Sequence, residues 1–89
     1  MALTESDRNN IANYKIQIER YKVDLIRIKE LKKEKSDYYA RQIKSTKDAT
    51  VKSNYRQSKI REMNSYDNQI ASKKRDIEGV KARIAAIRN

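Results

Sequence analysis

Cysteine, histidine, proline, tryptophan and phenylalanine are absent from this 89-residue sequence, and glycine occurs once, as Gly79. Without cysteine there is no disulfide or thiolate site, and without histidine the commonest metal ligand and the usual general base are missing. Because proline and glycine mark turns, their scarcity favours long helices. No run of about 18 apolar residues occurs, so we predict no transmembrane segment. The first residues lack the basic and apolar regions of a secretory signal peptide.

Charged residues make up 38% of the chain and apolar residues 37%, and the formal net charge is +10. The charge is unevenly placed: residues 27–62 hold twelve basic and five acidic residues, whereas residues 1–26 are neutral overall. A positive surface attracts phosphate groups or acidic proteins. The middle of the chain is therefore the part expected to interact with such partners.

Apolar residues in both halves recur at alternating intervals of three and four, which is the a/d seam of a coiled coil. This pattern predicts an all-α fold, an antiparallel two-helix hairpin that forms one domain. Its helices are predicted over about 5–43 and 51–88, with the turn over 44–50, where serine, threonine and aspartate collect. The residues predicted to form the hairpin core are Ile11, Tyr14, Ile18, Tyr21, Leu25, Ile28, Met63, Tyr66, Ile70, Ile77, Val80, Ile84 and Ile87.

The register of the two halves supports a hairpin. If the chain folds back near residue 49, Ile11 faces Ile87, and Leu25 faces Lys73, which is the one mismatch in the seam. The alternative fold is one continuous helix that pairs in a parallel dimer.

Two segments carry the spacing of a helix N-terminal capping box, in which a hydroxyl residue is followed three residues later by an acid. Thr4 and Asp7 place one cap at the start of the first helix. Ser45 and Asp48 repeat the spacing in the middle of the chain, at the predicted turn.

The seam weakens toward the turn. Continuing the heptads beyond Ile28 places Lys32 and Lys35 on the seam of the first arm, and Arg56 and Lys59 on the seam of the second. Because charged residues pack poorly between helices, we expect the tip of the hairpin to be loosely packed. Apolar neighbours would restore the packing only through a shifted register.

A second apolar line runs along the first arm at heptad positions b and f, on the side opposite the seam. A two-helix hairpin leaves this line in water, whereas a helix that is apolar on two faces is normally buried on both. We therefore predict that a partner helix, or a second copy of the chain, binds here and completes a three- or four-helix bundle. The line, named here the back stripe, consists of Ala12, Ile16, Val23 and Ile26.

The basic residues near the turn offer an alternative function, nucleic-acid binding. Lysine and arginine neutralise phosphates, and tyrosines stack on unpaired bases. Acidic residues interrupt the cluster, as on an ordinary solvated helix face. The basic tip consists of Lys32, Lys33, Lys35, Arg41, Lys44, Lys52, Arg56 and Lys59, with Tyr38, Tyr39 and Tyr55 among them.

Catalysis is not expected. The carboxylate pairs Glu5/Asp7 and Asp76/Glu78 lie on predicted exposed helix, where nothing forms a cleft around them. There is no glycine-rich phosphate loop, metal-ligand spacing or nucleophile elbow. We predict a chain that is not an enzyme and uses neither cofactor nor metal.

In its length, its two arms and the run Tyr14-Lys15-Ile16-Gln17-Ile18-Glu19-Arg20-Tyr21-Lys22-Val23-Asp24-Leu25, the sequence resembles the small helical-hairpin proteins of Gram-positive type VII secretion, which are WXG-like. The resemblance implies a targeting factor or chaperone that pairs with the helical domain of a secreted toxin. It also implies a cytoplasmic location, with export beside the partner as an alternative. The sequence departs from the group by having no Trp-x-Gly turn, and Ile18 stands where an export signal would place an acid after Tyr14.

Overall fold

The computed structural model describes residues 2–89, which form two α-helices and no strand. Helix α1 spans Glu5–Ser45 and helix α2 spans Ala49–Arg88, and residues 46–48 connect them. The two helices pack against each other. This arrangement confirms the predicted all-α hairpin. The chain is rod-shaped, at 68 × 15 × 11 Å, and its radius of gyration is 20.2 Å. A globular domain of this length would have a radius of gyration of about 12 Å.

Helix α1 begins with the capping box that the sequence predicts. The Thr4 hydroxyl accepts a hydrogen bond from the Asp7 backbone N–H at 3.0 Å, and the Asp7 carboxylate accepts one from the Thr4 backbone N–H at 3.2 Å. Leu3, the apolar residue just before the cap, packs against the core. The reciprocal bonds satisfy two backbone donors that the first turn would otherwise leave without partners.

The turn is shorter than the predicted 44–50. Helix α2 begins at Ala49 because Asp48 is its N-cap: one carboxylate oxygen accepts hydrogen bonds from the backbone N–H groups of Thr50, at 2.8 Å, and Val51, at 3.1 Å. Ser45 does not cap α2, so the predicted mid-chain capping box is wrong. Instead, Ser45 is the last residue of α1, and its hydroxyl donates a hydrogen bond to the Gln42 carbonyl oxygen at 3.3 Å.

The seam between the arms is most deeply buried at the end away from the turn. A cluster of buried residues there comprises Ile11, Ile18, Ile77, Val80 and Ile84, with partly buried Leu3, Tyr14, Tyr21, Leu25 and Ile87 packed around it. The other predicted core residues, Ile28, Met63, Tyr66 and Ile70, are partly buried nearer the turn. Val80, at 4% exposed, is the most buried core residue of the part described.

Lys73, the mismatch in the seam, keeps its charge outside the apolar layer. Its Nζ lies 3.5 Å from an Asp24 carboxylate oxygen and 4.9 Å from the centroid of the Tyr21 ring, on the opposite arm. The aliphatic stem of a lysine can cover apolar surface while its ammonium group reaches water. One polar residue is thereby tolerated opposite Leu25.

Near the tip the inward-facing residues differ from the predicted seam by one residue on each arm. The expectation that Lys35 and Arg56 lie on the seam is wrong, because both are exposed. Tyr39 is buried at 9% exposure, and its ring centroid lies 6.4 Å from that of the partly buried Tyr55. Ser36 rather than Lys35 turns inward, so the inward-facing residues after Ile28 are Lys32 and Ser36, at two successive intervals of four. Tyr39 then lies on the predicted seam again, so the departure from the 3.5-residue repeat is local.

The hairpin hides little of its surface. Its accessible area is 6868 Å², and no large side chain within residues 2–89 is less than 2% exposed. A compact monomer of 10.5 kDa would expose about 5,400 Å². The two arms therefore leave roughly a quarter more surface in water than a globular fold would.

Candidate functional site

The back stripe lies on α1 away from α2, and nothing in the described chain covers it. Ile16 is 53% exposed, Val23 56% and Ile26 58%, and Ala12 is exposed as well. Four other large apolar side chains are exposed but lie outside the heptad positions of the stripe: Leu31, Tyr38, Val51 and Ile60. The stripe is thus the one place in residues 2–89 where exposed large aliphatic residues follow a helical line.

A shallow groove runs along the stripe between Ile16 and Val23. Lys15 and Arg20 form part of its wall, together with Glu19. Because its floor is apolar and its walls are charged, the groove offers both burial and ionic contact to a helix laid along α1.

The opposite arm has no equivalent surface. On α2 the exposed large aliphatic side chains are Val51, at 38%, and Ile60, at 61%; they are nine residues apart and so lie on opposite sides of the helix. Gly79 faces open space, since a Cβ built there would meet no atom within 4 Å. Nothing within the hairpin therefore requires glycine at that position.

The basic tip is only partly a free charged surface. Lys32 is paired with Asp67 of the opposite arm and is partly buried. Lys52 and Lys59 are also partly buried. The remaining residues of the predicted cluster are exposed: Lys33, Lys35, Arg41, Lys44 and Arg56.

Of the three tip tyrosines, only Tyr38 offers much of its ring to solvent, at 40% exposure, with Lys35 Nζ 5.7 Å from the ring centroid. Tyr39 stacks edge-on against it, with centroids 5.2 Å apart. Hydrogen bonding with the Glu62 carboxylate, followed by burial, raises the pKa of Tyr39 above its ordinary value. Tyr39 thus belongs to the packing of the tip, and it lies eleven residues after Ile28, on the predicted heptad seam.

Neither helix within residues 2–89 is long and apolar enough to cross a membrane. The same residues contain no group of three acidic side chains placed to hold a metal ion.

No protein-family model, curated protein or solved structure matches this chain. The resemblance to the type VII secretion hairpins therefore stays a hypothesis.

Proposed function

We propose that this chain is a non-catalytic helical adaptor whose back stripe binds a helix of a partner protein, completing a three- or four-helix bundle. The observation that carries the proposal is that α1 is apolar on two sides and α2 covers one of them. Ile16, Val23 and Ile26 are each more than half exposed in the hairpin. Helices of this kind are normally buried on both faces.

The hairpin leaves enough surface exposed to accommodate a partner helix. The surplus over a compact monomer is on the order of 1,400 Å². A standard interface takes about 800 Å² from each partner. A single docked helix therefore needs less surface than the hairpin leaves uncovered.

The net charge favours a different protein over a second copy. Each chain carries +10, so two copies repel each other at long range. A partner of opposite charge is attracted instead, and its approach is accelerated at low salt.

The resemblance to the type VII secretion hairpins suggests a specific role. In that role the chain is a targeting factor or chaperone, and the partner is the helical domain of a secreted substrate. The adaptor would act in the cytoplasm and would be exported, if at all, with that substrate.

The test uses a tagged chain expressed in the organism from which the gene comes. An Ile16→Asp/Ile26→Asp variant places two charges on the stripe, and Ile60→Asp places one on the exposed face of α2 as a control. All three positions are more than half exposed, so circular dichroism should show unchanged helix content. Co-purified proteins are identified by mass spectrometry, and each candidate is then purified and titrated against the three forms by calorimetry.

The proposal predicts a purified partner that binds the unmodified chain and the Ile60→Asp form with equal affinity. Binding to the double variant should weaken by at least about a hundredfold, because a desolvated aspartate at a packed position costs several kcal/mol. A partner that binds all three forms alike would refute the stripe as the docking surface.

One observation favours a second function, binding of single-stranded nucleic acid at the tip: Tyr38 is 40% exposed with Lys35 beside its ring. Titration of fluorescent oligothymidine at low and high salt tests it, beside a variant with Lys33→Glu, Lys35→Glu and Arg41→Glu. Affinity that falls steeply with salt and is lost in the variant would support nucleic-acid binding. Equal, weak binding by both forms would exclude it.

A further inference from the structure

The back stripe is bordered on both sides by basic residues. One border consists of Lys15, Lys22 and Lys29, and the other of Arg20 and Arg27; all five are exposed. Residues seven apart lie two helical turns from each other on the same side of a helix, so each border follows the stripe along its length. The N-terminal part of the chain is neutral in total charge, yet the surface around the stripe is positive.

Two of the three acidic residues beside the stripe are engaged within the hairpin, and the third, Glu30, lies beyond Ile26 at the turn-side end of the stripe. Glu19, which interrupts the stripe, has a carboxylate oxygen 3.4 Å from the Nζ of Lys22. Asp24 is paired with Lys73 across the seam. Neither acid is therefore free to balance the remaining border cations.

Four of the five border cations form no ion pair within residues 2–89: Lys15, Arg20, Arg27 and Lys29. A second helix lying on the stripe would bring the residues that flank its own apolar line against these four cations. In paired helices, the residues that flank the apolar line meet across the interface and decide which partner is accepted.

We infer that the helix bound by the stripe is an acidic amphipathic helix, with apolar residues at intervals of three and four and glutamate or aspartate flanking them on both sides. This inference rests on the proposed function and specifies the chemistry of the partner. Apolar burial on Ile16, Val23 and Ile26 supplies affinity, and the border cations supply selectivity.

A second copy of the chain is disfavoured by the same borders. In a parallel pair, Lys15 of one copy would meet Arg20 of the other, and Lys22 would meet Arg27. In an antiparallel pair, lysines would meet lysines and arginines would meet arginines. Both orientations bring like charges together along the whole stripe, which opposes association.

The experiment uses three synthetic peptides of four heptads with identical leucine and isoleucine seams. Their flanking positions are all glutamate, all glutamine or all lysine. Binding to the full chain is measured by calorimetry at low and high salt, and sedimentation equilibrium records whether the chain alone self-associates. The stripe variant Ile16→Asp/Ile26→Asp reports whether any binding uses the stripe.

Two charge-reversal variants carry the same change in net charge. The border variant is Lys15→Glu, Arg20→Glu and Arg27→Glu, and the control on the exposed tip is Arg41→Glu, Lys44→Glu and Arg56→Glu. Exposed flanking pairs contribute a fraction of a kcal/mol each, so together they should change Kd by about tenfold or more. Of the three peptides, the glutamate peptide should bind most tightly to the unmodified chain and to the tip variant. Its affinity for both should fall at high salt. The border variant should prefer the lysine peptide.

Each outcome decides one proposal. If all three peptides bind equally, and only through the stripe, the acidic partner is refuted while the adaptor function stands. If glutamate-peptide binding is lost equally in both reversal variants, net charge rather than the borders is responsible, and the inference fails. If the chain self-associates through the stripe, a second copy is the occupant and the inference fails. If none of the peptides needs the stripe, the proposed function itself is refuted.

Discussion

Shortening Ile77, on the α2 side of the seam, tests how strongly the two arms hold each other. Ile77 is 7% exposed, whereas Ile60, on the same helix, is 61% exposed. Isoleucine to alanine removes roughly three methylenes at about 0.8 kcal/mol each, which gives about 2.2 kcal/mol for Ile77 and about 0.9 kcal/mol for Ile60 after scaling by burial. The better helix propensity of alanine returns about 0.4 kcal/mol in both cases.

The expected losses of unfolding free energy are therefore about 1.8 kcal/mol for Ile77→Ala and about 0.5 kcal/mol for Ile60→Ala. Any residual cavity between the arms increases the first value. Both losses are measured by urea unfolding at low temperature, followed by far-UV circular dichroism. If the slope of unfolding free energy against urea concentration is unchanged, the variants share a common unfolded state. Equal losses at the two positions would refute the reasoning, because they would mean that the arms gain nothing from the seam.

Three further outcomes are expected. Gly79→Ala should raise the unfolding free energy by about 1 kcal/mol, because the new Cβ meets nothing and alanine favours helix; an unchanged melting temperature would contradict this. Asp48→Ala should lower it by about 1 kcal/mol through the lost N-cap, while Ser45→Ala changes it by little; the reverse order in urea unfolding would restore Ser45 as the cap. Hydrogen bonding with Glu62, and then burial, raises the pKa of Tyr39 in the folded chain. The contribution of Tyr39 to stability is therefore fully present below its unfolded-state pKa, about 10. That contribution is lost as pH rises through the folded-state pKa. Tyr39→Phe should thus lose less stability than the unmodified chain between neutral and strongly alkaline pH in melting experiments, and identical pH profiles would show that Tyr39 does not titrate as stated.

The fold could be predicted because the apolar periodicity was long and regular. Ile11 to Ile28 and Ile70 to Ile87 keep their intervals over two to three heptads, and an antiparallel hairpin buries both series within one chain. The structure differs from the prediction where that signal stops. Between residues 29 and 38 no apolar residue falls on the seam, so the sequence could not indicate whether Lys35 or Ser36 turns inward.

The turn shows a second limit of sequence reasoning. Ser45 and Asp48 are both good N-cap residues, and spacing alone favoured the first. What decides between them is the backbone: Asp48 has an extended conformation and reaches two free N–H groups, whereas Ser45 is still helical. Such a choice depends on the geometry of the closed hairpin, which the residue pattern does not contain.

The back stripe could be identified from its heptad positions, whereas its borders could not be recognised from charge summed along the chain. Residues 1–26 are neutral in total, and only the arrangement by face shows that Lys15 and Arg20 border the stripe, whereas Glu19 is paired with Lys22 and Asp24 with Lys73. The positive borders of the stripe are therefore seen when charges are counted by helix face, and are missed when charges are counted by segment of the chain.

The most direct measurement of the central claim is site-specific photo-cross-linking in the organism that carries the gene. A photoreactive phenylalanine analogue is placed at Ile16 or Val23 on the back stripe, and at Ile60 as the exposed control. We predict that both stripe positions form a cross-link to one and the same acidic helical protein, and that position 60 does not. Cross-linking of equal yield and pattern at all three positions, or none at the stripe, would contradict the account.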